Sequence, residues 1–465
     1  MRAHIWKSGE QGRGLGRAWA SSHMKEQQPW LMPRAALCTR SLTRKPLPTC
    51  SGVCRNSSGM SLGLIGMLVC AFMERSSSSV PQAVASVLVA LARFAWFDLG
   101  VVSTLAAEMV KPERISSSKP QDISNMLWAL ASLGWYEPVV YDQLMAALQG
   151  SREAEPQNFS TSMYSCAIAS HHSSSVNDLA QLVSEQDVSK QGGWDEQTLA
   201  NTLYAWAVLS TQSLASDSLE GMAQHLLREV NARGPAALCS PIQLSQLHLA
   251  HLEAERVGLA RGGLSTANGI QQAAAEEHAI GQLILQNKAK QSGGTAGEIA
   301  AVAALRAAGY EVELAGLTKG DCYVNLLVQH EGAPNGIAVD ILAATDVLRH
   351  PLGQLNGKIR LQHERIRQRC DGLVLLSEGE VSRQPGLMVQ RVQQELAKAA
   401  ARREGGGEPS SRSTNSNGSY PLPPAQPQSA TPGILQPKSK QNTFSKPSDY
   451  VAMPPQLKSK PQRNG

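Results

Sequence analysis

The chain is predicted to fold as an α-helical repeat solenoid of helix-turn-helix units, followed by a small α/β domain, with disordered termini. An apolar stripe at helical spacing recurs five times between residues 81 and 259, and at Thr295 the patterning changes to short β-like runs. Beyond Arg403 hydrophobic periodicity is lost altogether. These observations divide the sequence into an arm (1–59), a helical-repeat array (60–292), an α/β domain (293–385), a C-terminal helix (386–403) and a tail (404–465).

The clearest unit runs from Pro120 to Gln149. Ile123, Met126, Leu127 and Leu130 fall at i, i+3, i+4 and i+7, which places four apolar side chains on one helical face. Gly134 stands where a left-handed residue ends a helix, and Pro138 suits the first turn of the next. Tyr141, Leu144, Met145 and Leu148 give that second helix its own stripe. Two such helices cannot bury their stripes alone, so copies should stack into an elongated curved array in which each pair contacts its neighbours. The stripe recurs at Val84-Val87-Leu88-Leu91, Phe159-Ser162-Met163-Cys166, Leu199-Thr202-Leu203-Trp206 and Leu244-Leu247-His248-His251. Its leading positions, Pro81, Pro120, Pro156, Glu196 and Pro241, are 39, 36, 40 and 45 residues apart. The fifth copy carries two histidines in its stripe and reads as a terminal, atypical repeat, its histidines serving as interface residues. Even the turn repeats, with Ala95-Trp96-Phe97 matching Gly134-Trp135-Tyr136.

Before the array, residues 1–59 contain only Glu10 and Glu26 as acids and are rich in Arg, Ser, Gly and Ala. That composition fits an organellar transit peptide; an ordinary disordered basic arm is the competing reading. Met60 to Met73 is apolar but too short to span a bilayer, so a buried helix and no membrane insertion are expected. Eight cysteines are scattered without a CxxC pair, which argues against a zinc site and for reduced thiols. The net charge of +5 conceals an asymmetry: residues 81–255 carry 8 basic against 18 acidic residues. An acidic array matters because nucleic-acid affinity rests on neutralising phosphates.

After Thr295 come an Ala-rich helix (296–308), β-like runs at 310–314, 322–329 and 336–342, a basic helix from about Lys358 to Cys370, and a last strand at 373–376. Helix, three strands, helix, strand describes a small α/β domain. The Pro/Ser/Gln/Lys-rich tail lacks core-forming residues and is mildly basic.

The repeat cores Asn125-Met126-Leu127-Trp128-Ala129-Leu130-Ala131 and Asn201-Thr202-Leu203-Tyr204-Ala205-Trp206-Ala207 resemble the helical repeats of organellar RNA-metabolism proteins that end in a RAP domain, the broad class of octotricopeptide-repeat and FAST-kinase-like proteins. The segment Gly336-Ile337-Ala338-Val339-Asp340, then Pro351-Leu352-Gly353, the basic helix and Gly372-Leu373-Val374-Leu375-Leu376 resembles the RAP domain in order. The resemblance implies a restriction-endonuclease-like α/β fold, organellar RNA as partner and a chloroplast location, with the mitochondrion as alternative. The family pattern has an acid on the earlier strand and Glu-x-Asp on the next; here those positions read Asn325 and Ala338-Val339-Asp340. One carboxylate is too few to hold a catalytic divalent metal, so no enzyme activity, metal or cofactor is expected. The aromatic pair near the domain's end is replaced by Gly379-Glu380-Val381.

Two sets of residues are candidates for RNA contact. Lys358, Arg360, Arg365, Arg367 and Arg369 offer phosphate partners within about three turns of helix, the arginines being suited to bidentate recognition; a merely solvated face is the alternative. The second set is the polar position two residues after each stripe's start: Ser86, Asn125, Thr161, Asn201 and Gln246. One hydrogen-bonding side chain per repeat is what base reading requires, with Asn125 and Asn201 the strongest candidates, though such residues equally cross-link helices. The expected function is processing, splicing, stabilisation or translation of organellar transcripts. The alternative is a protein-interaction scaffold within an organellar ribonucleoprotein or ribosome-assembly complex, as the acidic array suggests.

Overall fold

The computed structural model describes residues 62–404 apart from 191, 212–215, 236–239, 260–262 and 319–321. The expected arm and the tail beyond residue 404 lie outside the described residues. The chain divides into two compact units, Met1–Leu68 and Val69–Gly465. Helix α1 (Leu62–Met73) buries Ile65 and Val69 but exposes Leu64, Met67 and Leu68. It is therefore one-sided rather than the buried helix its composition predicts, because its apolar residues cover more than one face. No helix among the described residues is long and apolar enough to cross a membrane.

Within the second unit, helices α2 (Pro81–Arg93) and α3 (Leu99–Met109) form a first pair, followed by the short α4 (Pro112–Ile115). Then come α5 (Pro120–Leu133) with α6 (Pro138–Gln149), α7 (Pro156–Ala169) with α8 (Ser174–Ser184), and α9 (Glu196–Ser210) with α10 (Asp217–Arg233). Proline opens α2, α5, α6 and α7, at a position whose N–H has no intrahelical acceptor to lose. Asp195 and Ser216 cap α9 and α10 by accepting the Thr198 and Leu219 amides. The repeated stripes are the core. Ile123, Met126, Leu127 and Leu130 are all buried, as are Tyr141, Leu144, Met145 and Leu148 opposite them. Each large apolar side chain so buried contributes about 1.5–3 kcal/mol.

First helices pack side by side, α2 on α5, α5 on α7 and α7 on α9, and second helices do likewise, α6 on α8 and α8 on α10. The turn within the first three pairs is one geometry used three times. Ala95, Gly134 and Ser170 take the left-handed conformation, at φ 51°, 69° and 56°. The next residue, Trp96, Trp135 or His171, donates its amide to the last stripe residue, Leu91, Leu130 or Cys166, at 3.0, 2.9 and 2.8 Å. α11 (Pro241–Val257) packs on α9, and α12 (Ile270–Ser292) packs on α11 and reaches the sheet.

The sheet follows α13 (Ala296–Ala307). Its strands β1 (Glu311–Leu317), β2 (Tyr323–His330), β3 (Ala333–Leu342) and β4 (Gly372–Ser377) lie in sequence order. β1–β2 and β2–β3 are antiparallel, with Val312 opposite Val328 and Leu326 opposite Val339, whereas β3–β4 is parallel, with Val339 opposite Val374. A parallel pair needs a crossover, which α14 (Gly357–Arg369) supplies. One sheet face packs Leu326, Val339, Ile341 and Val374 against Ala301 and Leu305 of α13 and Met388 and Val392 of α16 (Pro385–Glu404). The other packs Leu327 and Ala338 against Ile366 of α14. The short helix α15 (Glu378–Arg383), which the sequence pattern does not announce, joins β4 to α16 and is capped by Ser377 and Glu380.

Candidate nucleic-acid interface

Helix α14 is seated tightly on the first helices. Asn356 caps it, accepting the Ile359 amide at 2.9 Å, and Gly357 then lies so close to α7 and α9 that a Cβ there would stand 1.8 Å from the Ala167 carbonyl oxygen and 2.7 Å from Val208 Cγ1. Upstream, the segment after β3 joins the turn between α5 and α6 through main-chain groups. The Arg349 and His350 amides donate to the Gly134 carbonyl at 2.7 and 3.0 Å, and the Tyr136 amide donates to the His350 carbonyl at 2.8 Å. The His350 ring stacks on Trp135 at 5.8 Å, and the Arg349 guanidinium lies 5.2 Å from the centre of Phe97. Trp135 in turn donates to Ser103 Oγ at 3.0 Å.

This seating divides the five cations of α14. At about 100° per residue, Lys358, Arg365 and Arg369 share one face and Arg360 and Arg367 the opposite one. The first set is turned towards the helices. Arg365 is 7% exposed and Lys358 and Arg369 are partly buried, and burial pushes the Lys358 ammonium and the Arg365 guanidinium below their ordinary values. The second set faces away: Arg367 is exposed, 3.7 Å from Glu364, and Arg360, partly exposed, bonds the Leu355 carbonyl at 3.3 Å. The five expected phosphate partners therefore lie on two faces, because a helix of this pitch cannot bring all of them to one side.

The repeated polar position is not uniform either. Ser86 is exposed, Asn125 and Thr161 are partly exposed, and Asn201 Oδ1 accepts a 3.0 Å hydrogen bond from Nε2 of the buried Gln246. Asn201 thus ties α9 to α11. Among the described residues no such cross-link is formed by the other candidate reading residue, Asn125.

Asp340 is buried and paired with His363 of α14 at 2.7 Å. On β2, Asn325 donates to Glu298 of α13 and accepts the Ile341 amide at 3.0 Å. Among the described residues no three His, Cys, Asp or Glu side chains gather as a metal-binding group. Glu298 and His363 escape a reading by strand motif because they lie on helices on either side of the sheet. His251 bonds the Leu264 amide at 3.1 Å and Gln271 at 2.7 Å, and the His248 ring lies 4.9 Å from that of His278, so both histidines of the fifth stripe are interface residues. Compared with known proteins, the chain matches no protein-family model and no curated sequence.

Proposed function

We propose that the chain is a non-enzymatic RNA-binding factor acting in post-transcriptional metabolism of organellar transcripts, in the chloroplast or, alternatively, the mitochondrion. In this reading the helix pairs are a repeat solenoid and residues 293–385 a RAP-like domain. The likeness of the Asn125 and Asn201 segments to organellar repeat motifs supports it, as do the thrice-repeated turn and the order helix, three strands, helix, strand. A fold alone does not carry a function. The observation that carries this one is the outward face of α14, where Arg360 and Arg367 present guanidinium groups suited to phosphate oxygens. Lys358, Arg365 and Arg369 belong to a different contact.

Filter binding of the full chain to single-stranded RNA across a salt series tests the proposal. Arg360→Gln with Arg367→Gln is expected to weaken binding and to flatten the log-log salt slope by about 1.4, about 0.7 for each lost phosphate contact. RNA affinity that is absent, or indifferent to salt, overturns it. The acidic array favours a second reading, a scaffold for proteins of a ribonucleoprotein complex. A scaffold keeps its partners in the same double variant.

A further inference from the structure

Helix α12 turns its apolar side to solvent. The face that it lays on the rest of the chain is mostly small or polar. Ala274, His278 and Gln286 are buried there with Ile270, the Gln286 side chain donates to the Ala315 carbonyl at 2.9 Å, and the Gln282 side-chain oxygen accepts the Tyr323 amide at 2.9 Å. Of the helix's five isoleucines and leucines only Ile270 is buried. Ile280, Leu283 and Ile284, at 48%, 47% and 51% exposure, stand together within little more than one turn. A surface helix ordinarily turns such residues inward, so a contiguous outward cluster marks a face that a partner covers.

The charges around this cluster identify the partner. Between Glu277 and Lys288 the helix has no Asp, Glu, Lys or Arg, and the two bracket the cluster evenly, Glu277 three residues before Ile280 and Lys288 four after Ile284. At about 100° per residue Glu277, Ile280, Ile284 and Lys288 fall within about a quarter of the helix circumference, with Leu283 at its border. Lys288 is exposed and Glu277 partly so, whereas Lys290 is held by Glu313 at 3.1 Å. An apolar patch that is acidic at one end and basic at the other is complementary to its own reverse. Laid antiparallel on a second copy, about an axis near Gln282 and Leu283, the helix brings Glu277 of each copy to Lys288 of the other and packs Ile280 against Ile284. A parallel copy would set Glu277 against Glu277. The antiparallel arrangement is twofold and closes on itself.

We infer that the outer face of α12 is a homodimer interface, in which two copies of this chain pair their α12 helices antiparallel around Ile280, Leu283 and Ile284. One helix face per copy is a small contact, so the dimer is a reversible one of micromolar affinity and not a permanent pair. The inference does not rest on the RNA reading, since it concerns the association of the chain with itself.

Sedimentation velocity of the full chain should show a monomer giving way to a dimer as concentration rises through the micromolar range. Ile280→Gln with Ile284→Gln should weaken the association by about tenfold or more, while Val139→Gln, which removes an exposed apolar residue of α6, leaves it unchanged. Charge reversal tests the direction. Glu277→Lys and Lys288→Glu should each weaken self-association by about tenfold, since each sets like charges together, whereas the two variants mixed in equal amounts should pair to within about threefold of the unaltered affinity. Recovery on mixing requires folded chains, so misfolding does not imitate it. A chain that stays monomeric overturns the inference, as does a dimer indifferent to the α12 substitutions or a pair of reversals that do not rescue each other. Should a monomeric chain lose RNA affinity in the Ile280→Gln, Ile284→Gln variant, the face belongs to RNA; should it keep that affinity, the occupant is another protein or another segment of this chain.

Discussion

A methyl group at residue 357 has nowhere to go. The obstacle is the Ala167 carbonyl, a backbone atom that cannot rotate aside, so Gly357→Ala must shift α14 against α7. The expected loss is about 1–3 kcal/mol of unfolding free energy in urea, and an unchanged midpoint would refute the close seating. Gly281, in the middle of α12 with nothing within 4 Å of its would-be Cβ, predicts the opposite sign. Gly281→Ala should stabilise the chain by about 0.5–1 kcal/mol, because alanine has less backbone freedom to lose. His278 makes a third residue-scale prediction. Its folded value of about 4 lies below its ordinary 6.5, so the unfolded chain binds the proton first as pH falls. Its contribution is fully present above about pH 6.5 and is lost progressively down to about pH 4, at about 1.4 kcal/mol per pH unit. His278→Gln should therefore reduce the stability lost between pH 7 and pH 5 by about 1–2 kcal/mol in denaturant titrations.

Among the elements, α9 and α11 are joined by a side-chain bond at a position that the repeat pattern offers for base reading. If the Asn201–Gln246 pair is a cross-link, Gln246→Leu alone leaves the Asn201 oxygen unsatisfied and costs about 1–2 kcal/mol. Replacing both by leucine should recover much of that, and a double-mutant cycle with no coupling between the two would refute the cross-link. The helices themselves were legible in the sequence, since a 3.6-residue period, prolines at first turns and Gly134 at an end each have a local cause. So were the strands of the sheet, to within a few residues at their ends. What local pattern could not supply is direction. The spacing of Lys358, Arg365 and Arg369 shows that they share a face, but only the burial of Arg365, with the partial burial of Lys358 and Arg369, shows that this face turns inward. The same holds for Asp340, whose partner His363 is distant in sequence and close only because the crossover helix lies over β3.

For the whole molecule, the helices from α2 onward and the four-stranded sheet belong to one compact unit. Their joint is built from a glycine contact, main-chain hydrogen bonds and ring contacts, all of which fail together if the sheet moves away. Circular dichroism and the fluorescence of a variant with Trp6, Trp19 and Trp30 replaced by phenylalanine should therefore report one coincident unfolding transition, the other five tryptophans lying between residues 96 and 206 and the sheet within residues 311–377. Two separated transitions would show that the joint contributes little. The bonds among Gly134, Tyr136, Arg349 and His350 use amides and carbonyls that every amino acid except proline possesses. Mutational drift at Tyr136, Arg349 and His350 can thus retune ring contacts and charge while leaving this seam's register intact; the constrained position is Gly134, where a side chain would press to 3.2 Å from the Arg349 amide nitrogen.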